Sequence, residues 1–143
     1  MDTNFNTIAQ RFTSLRSAHS KETTEDYIEM IYDLLQYNSV ARIKDLAECM
    51  GVSHPTVKKI TLRLEKEGYI ATERYKGITL TDTGLALALH CKERHTIVKD
   101  FLLSLGVSVA TAEIDAEGIE HHVSTETIEI FKDFIKNKAE KNG

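Results

Sequence analysis

A short amphipathic pattern, a glycine turn and a second such pattern constrain the fold of this chain more than any other feature. The first pattern covers residues 43–50, and Gly51 supplies the tight turn after it. Ser53 is well placed to cap the second pattern, which has Pro55 in its first turn and an apolar stripe up to Leu64. Two short helices joined in this way predict a helix-turn-helix unit.

Two short β-type runs with a basic tip follow the second helix. Residues 69–73 and 78–81 flank residues 74–77, a pattern that predicts a β-hairpin, or wing. Elsewhere, apolar residues recur at helical spacing, which predicts an amphipathic helix or arm in residues 4–18 and helices in residues 24–35, 83–106, 110–123 and 125–138. The apolar face of the last helix is typical of a dimer contact. The predicted fold class is mainly α with a small β-hairpin wing, in which an N-terminal winged helix-turn-helix is followed by an α-helical dimerisation lobe.

Charge is distributed unevenly along the chain. Residues 42–76 carry eight basic and five acidic side chains, a balance of +3, which leaves −7 for the rest of a chain whose net charge is −4. A locally basic lobe on an acidic body suits a protein that presents one surface to phosphate. The basic residues could form an ordinary solvated face, but after a helix-turn-helix we interpret them as DNA contacts. The candidate DNA-binding residues are Arg42, Ser53, His54, Pro55, Thr56, Lys58, Lys59, Arg63, Arg74 and Lys76.

Several classes of protein are disfavoured by what the sequence lacks. Cys49 and Cys91 lie far apart, and no early apolar run precedes a small-residue cleavage site, so we expect a cytoplasmic protein. No apolar stretch approaches the roughly 20 residues of a membrane-spanning helix, so we expect a soluble chain without a membrane partner. There is no H-E-x-x-H pattern, nucleophile elbow or phosphate-binding glycine loop. We therefore expect no enzyme, no catalytic residue and no small organic substrate.

A cluster of side chains able to bind metal lies near the C-terminal end. If the segment is helical, Glu117, Glu120 and His121 are at positions i, i+3 and i+4, so two carboxylates and an imidazole project from one face. Such a face can hold a divalent cation, although it could also be a solvated acidic face. Glu113 shares this face and is either an outer group or merely exposed, so we do not count it as a ligand.

Three further residues are metal-ligand candidates with plainer alternative explanations. Asp26 and Glu29 open the helix that leads into the helix-turn-helix, where they could simply complement the helix dipole. His95 lies on an apolar stripe, where a histidine is more often a core residue than a ligand. From these residues alone, the plainer explanations are preferred.

Three short blocks together carry a family resemblance. They are TEDYIE at residues 24–29, KERH at 92–95 and DAEGIEHH at 115–122. With the winged helix-turn-helix between them, their order and spacing resemble the manganese-responsive branch of the diphtheria-toxin-repressor family, over nearly all of the chain from about Glu22. The resemblance implies a two-ion site in each subunit of a homodimer, formed by Asp26, Glu29, His95, Glu117, Glu120 and His121.

The resemblance also implies a function. It predicts a manganese-dependent transcriptional repressor that binds palindromic operator DNA as a homodimer when divalent metal is bound, and so controls manganese homeostasis. The alternative that the residues leave open is a metal-independent winged-helix DNA-binding regulator. The predicted domains are an N-terminal helical arm (residues 1–21), the winged helix-turn-helix (22–82) and a helical metal-binding and dimerisation domain (83–143).

The ligand types favour a particular ion. Iron-responsive relatives carry soft sulfur ligands at positions where this chain has carboxylates. Hard oxygen donors suit Mn²⁺, and we expect two such ions per subunit. By the Irving–Williams order zinc should bind such ligands tightly, but we expect it to activate poorly because it fills a tetrahedral subset of them. We expect that Cd²⁺ can also substitute. Lys99 stands where the ancillary site of those relatives would need a metal-binding side chain, so we expect that site to be absent.

Overall fold

The structure, a computed structural model, describes residues 5–142 and forms six helices and one two-stranded antiparallel sheet from them. Their order is α1 Phe5–Asn38, α2 Ile43–Met50, α3 His54–Lys66, β1 Ile70–Glu73, β2 Gly77–Leu80, α4 Asp82–Ser104, α5 Val109–Ile119 and α6 Thr125–Asn142. The predicted mainly α fold with a β-hairpin wing is confirmed. Among the described residues, the structure has no helix that combines the length and apolar character needed to cross a membrane.

The described chain divides into two compact units. One consists of residues 24–90, and the other of the described residues up to 23 and from 91 onward. These divisions fall within α1 and α4, whereas the sequence placed boundaries after residues 21 and 82. Residues 1–4 of the predicted arm, and Gly143 of the predicted third domain, lie outside the described residues.

Helix α1 is longer than the sequence pattern indicated. Two helical segments were predicted in this region, but the structure has a single helix from Phe5 to Asn38. The apolar period lapses between Leu15 and Tyr27, which suggested a break. Because residues 5–38 contain neither glycine nor proline, nothing in the backbone interrupts the hydrogen-bonding ladder.

The unit of residues 24–90 is a winged helix-turn-helix. Its core is formed by buried apolar residues of α1, α2, α3, the two strands, the start of α4 and the segment before α2: Tyr27, Ile28, Ile31, Ala41, Leu46, Ala47, Val57, Leu64, Ile70, Ile78 and Ala88. Gly51 ends α2 with a φ of 68°, and Ser53 caps α3 by accepting a hydrogen bond from the Thr56 amide at 3.3 Å. These are the turn and cap that the sequence predicted.

The wing is joined to the segment before α2. Strands β1 and β2 pair from Ile70 opposite Leu80 to Glu73 opposite Gly77, and the Ile78 amide donates a hydrogen bond to the Ala41 carbonyl at 2.8 Å. Gly77 has a φ of 76°, and a Cβ there would lie 2.6 Å from the Ala41 oxygen. Glycine is therefore required at this position for both conformation and space.

The other unit is built from the start of α1, the part of α4 from Cys91 onward, α5 and α6. Val98, Ala116 and Ile128 form its buried apolar cluster. The rings of Phe101 and Phe131 stack with centroids 3.9 Å apart. Helix α5 ends at Ile119 rather than at the predicted Val123, and α6 continues to Asn142 rather than to about Lys138.

Candidate metal centre and nucleic-acid interface

One face of α5 directs carboxylates at the imidazole of His95 on α4. Glu113 and Glu117 are one turn apart on α5, and Glu120 follows at its C-cap. Nε2 of His95 lies 2.6 Å from Oε1 of Glu113. Nδ1 of the same ring lies 3.2 Å from Oε1 of Glu117 and 3.6 Å from Oε1 of Glu120. The predicted ligands His95, Glu117 and Glu120 are therefore brought together by the packing of α5 on α4.

His121 joins this cluster from the turn after α5. Its Nε2 lies 3.6 Å from Oε1 of Glu120, and the side chains of both residues are only 1% exposed. An ionised carboxylate is costly to bury without compensating charge, so a buried glutamate beside two imidazoles is uncommon in a purely structural role. It is typical of sites that bind metal or perform acid–base chemistry.

The atoms available in this unit fit a divalent cation. His95, Glu113 and Glu117 each offer a ligand atom, and these atoms lie within 4.8 Å of one another. Nδ1 of His95 is buried and makes no hydrogen bond, although the Glu117 carboxylate is close by. An imidazole nitrogen with carboxylate oxygens around it is a donor set that suits first-row divalent ions.

Glu113 and Lys99 form a pair behind His95. Nζ of Lys99 lies 2.8 Å from Oε2 of Glu113. The hydrogen bond from Lys99, and then the one from His95, hold the pKa of Glu113 below its ordinary value. An ionised Glu113 can only accept a hydrogen bond, so we assign the ring proton of a neutral His95 to Nε2. This assignment leaves the lone pair of Nδ1 facing Glu117 and Glu120. The role of Glu113, which the sequence left open, is thus a contact with His95.

Arg94 is a residue of this site that the sequence interpretation missed. Its side chain is buried, and its Nε and Nη2 donate hydrogen bonds to the backbone carbonyl of Glu120 at 3.1 and 2.8 Å. Nη2 also donates to the carbonyl of Val123. The guanidinium therefore fixes the backbone on both sides of His121. A cation at this position also complements the C-terminal end of the α5 dipole.

The remaining predicted ligands lie in the unit of residues 24–90. Asp26 and Glu29 are one turn apart on α1, and both are half-buried. Their participation in a metal site stays a prediction. His122, next to the cluster, instead makes a 2.6 Å contact between its Nε2 and Oε2 of Glu22.

The candidate DNA-binding residues lie on the surface of the winged helix-turn-helix. Those that are exposed are Arg42, Ser53, His54, Pro55, Thr56, Lys58, Lys59, Arg74 and Lys76. Arg63 is half-exposed, and its Nη1 lies 3.5 Å from Oε1 of Glu67. The buried stripe of α3, formed by Val57, Thr61 and Leu64, leaves the basic side of the helix accessible. This is the arrangement of a recognition helix, and the individual DNA contacts stay predictions.

Comparison with known proteins finds two families that together match most of the chain. The family described as "Iron dependent repressor, N-terminal DNA binding domain" matches residues 19–78, and the one described as "Iron dependent repressor, metal binding and dimerisation domain" matches residues 81–141. The chain belongs to the iron-dependent repressor family, also called the diphtheria-toxin-repressor family. The family predicted from the three sequence blocks is confirmed.

Individual members of this repressor family are similar over most of their length. The transcriptional regulator MntR of Escherichia coli O6:H1 is 45% identical over 130 residues, which is 91% of this chain and 84% of that protein. The HTH-type transcriptional regulator MntR of Lysinibacillus sphaericus is 38% identical over 112 residues, or 78% of this chain and 81% of that protein.

Solved structures of longer regulators share the fold. The structure of the manganese regulator SloR matches with a TM-score of 0.68 and 30% identity, covering 79% of this chain and 53% of that one. The structure of ScaR with bound Zn²⁺ matches with a TM-score of 0.71 and 30% identity, again over 79% and 53%. The chain therefore spans about half the length of these solved structures.

Proposed function

We propose that this chain is a manganese-dependent transcriptional repressor, which binds palindromic operator DNA as a homodimer when divalent metal is bound and so controls manganese homeostasis in the cytoplasm. The observation that carries the proposal is the convergence of His95, Glu117, Glu120 and His121 within the domain matched as metal binding and dimerisation. The metal-independent alternative is not favoured, because it gives this cluster no role. The regulators named above support a DNA-binding protein rather than an enzyme.

The proposed ligand set is the one predicted from sequence. It consists of Asp26, Glu29, His95, Glu117, Glu120 and His121, with two ions per subunit. A divalent cation, when bound, supplies positive charge that offsets the mutual repulsion of the carboxylates. The excess of oxygen donors favours manganese, whereas zinc and cadmium can occupy part of the same set.

Residues around the ligands hold them in place. Glu113 accepts a hydrogen bond from Nε2 of His95 and so orients the ring, with Lys99 on its far side. Arg94 fixes the backbone of Glu120. Such outer contacts orient metal ligands and raise affinity.

The proposed repressor contacts DNA through α3 and the wing. In a homodimer, two copies of α3 would enter successive major grooves, and this geometry matches a palindromic operator. Because the proposed ligands come from both halves of the sequence, cation binding and DNA binding would be coupled. A hundredfold gain in operator affinity corresponds to about 2.7 kcal/mol of coupling free energy.

The test separates metal binding from DNA binding. Manganese binding is followed by the loss of the free Mn²⁺ EPR signal. DNA binding is followed by fluorescence anisotropy of a duplex selected from a random library with the manganese-loaded protein. We expect Glu117→Gln to weaken manganese binding and to abolish the difference in DNA affinity between manganese and chelator, while the protein stays folded.

A matched control is Glu129→Gln, which removes an exposed carboxylate on α6 and should change neither measurement. Equal DNA affinity of the wild-type protein in manganese and in chelator would refute the proposed repressor. Activation by buffered zinc at least equal to that by manganese would refute the metal preference alone.

A further inference from the structure

The N-terminal arm carries exposed apolar residues that lie outside both matched domains. The first match begins at residue 19, so most of the arm precedes it. Every side chain of residues 5–17 is exposed. Phe5, Ile8, Phe12 and Leu15 follow one another at helical spacing and are between 40% and 81% exposed. We call these four residues the apolar stripe. A helix that presents such a stripe to water gains little stability from packing, which makes a partner for it worth seeking.

A groove beside α5 is lined largely by apolar residues, which could contact the apolar stripe of an arm. It has a volume of about 560 Å³ and is lined by Ile114, Asp115, Gly118, Ile119, His122 and Val123. Ile114 is 73% exposed, although α5 belongs to the domain matched as dimerisation. The groove therefore lies within the domain whose family description includes dimerisation.

The charges of the arm and of α5 are complementary. Residues 5–21 contain Arg11, Arg16 and Lys21 and no carboxylate. Helix α5 carries three acidic side chains, those of Glu113, Asp115 and Glu117, and no lysine or arginine. Opposite charges around an apolar contact favour the correct pairing of two surfaces.

The contact made by Glu22, the residue just after the arm, indicates whether the arm can reach the groove of its own chain. Glu22, just after the arm, contacts His122 of the same chain, and His122 also lines the groove. Helix α1 nevertheless runs unbroken past this point, and the apolar stripe stays exposed. The chain's own α5 therefore does not cover the stripe.

From these observations we propose that the apolar stripe of one copy docks in the α5 groove of a second copy. In a two-fold dimer the contact is reciprocal, because each arm covers the groove of its partner. This inference goes beyond the proposed function, since it assigns a role to a segment outside both matched domains.

Cross-linking tests the contact directly in the full chain. In a Cys49→Ser background, Phe12→Cys combined with Ile114→Cys should give covalent dimers with a short bis-maleimide reagent, as judged on denaturing gels. The matched control combines Gln10→Cys, on the opposite side of the arm, with Ile114→Cys and should give monomers. Cys91 is buried and can stay. Equal cross-linking of the two pairs, or none with the Phe12 pair, would overturn the proposal.

A second measurement keeps the helix intact and removes only apolar surface. Phe12→Gln with Leu15→Gln replaces two residues of the apolar stripe by a good helix former and should raise the dimer dissociation constant at least about tenfold, as measured by sedimentation. Gln10→Ala is the control and should leave that constant unchanged. An unchanged dimer with weakened binding to the selected DNA duplex would overturn the proposal and assign the arm to DNA instead. The proposed function is tested by its metal response, so either result can occur without the other.

Discussion

Arg94→Met tests whether the buried guanidinium holds the metal cluster together. The substitution keeps a long, flexible side chain but removes the donors that serve the carbonyls of Glu120 and Val123. Each carbonyl left without a partner costs about 1–3 kcal/mol. The two carbonyls together would cost about 2–6 kcal/mol. Since the buried charge and its desolvation penalty also disappear, we expect a net loss in the lower half of that range, about 3 kcal/mol.

The assay is thermal unfolding of the metal-free protein at one fixed concentration, because the apparent stability of a dimer depends on concentration. For a chain of this size, the loss corresponds to a fall in Tm of about 10 °C. Manganese binding, followed by EPR, should also weaken, because the backbone of Glu120 is no longer fixed. Arg63→Met, which removes a half-exposed arginine near Glu67, should cost no more than about 0.5 kcal/mol. If Arg94→Met were as stable as this control, the reasoning about the buried guanidinium would be wrong.

Three further variants test other parts of the structure. Lys59→Ala should weaken DNA binding even with manganese present and reduce the slope of log affinity against log salt by about 1, measured by anisotropy; an unchanged slope would exclude a phosphate contact. Gly77→Ala should destabilise the wing unit by about 2 kcal/mol or more in urea unfolding, because of its positive φ and the close Ala41 oxygen; a loss below about 0.5 kcal/mol would contradict this. Lys99→Met should raise the pKa of Glu113 towards its ordinary value, since the hydrogen bond from Lys99 is the main cause of its lowering. Carboxyl NMR of the metal-free protein measures that pKa, and no rise would mean that His95 alone sets it.

Local chemistry made the winged helix-turn-helix predictable. Gly51 ends one helix and Ser53 caps the next through contacts within a few residues, so the sequence alone indicates them. The spacing of Glu117, Glu120 and His121 is likewise a local property of one helix and the turn after it. These positions needed no knowledge of the tertiary structure.

Features that depend on distant contacts were not predictable in the same way. Arg94 bonds to carbonyls 26 and 29 residues away, and no pattern in its own helix indicates this. The continuity of α1 was missed for a different reason, because residues 16–23 are polar except for Ala18 and give no apolar period. A helix needs only an uninterrupted backbone, and polar residues supply that as well as apolar ones do.

The ammonium group of Lys99 places a covalently attached positive charge beside Glu113, which limits where the cluster can respond to a free metal ion. A covalently attached cation does not dissociate, and no chelator can extract it. The carboxylate of Glu113 is therefore compensated at every ion concentration. In the proposed site, an exchangeable ion would instead act on the side of the His95 ring that faces Glu117 and Glu120.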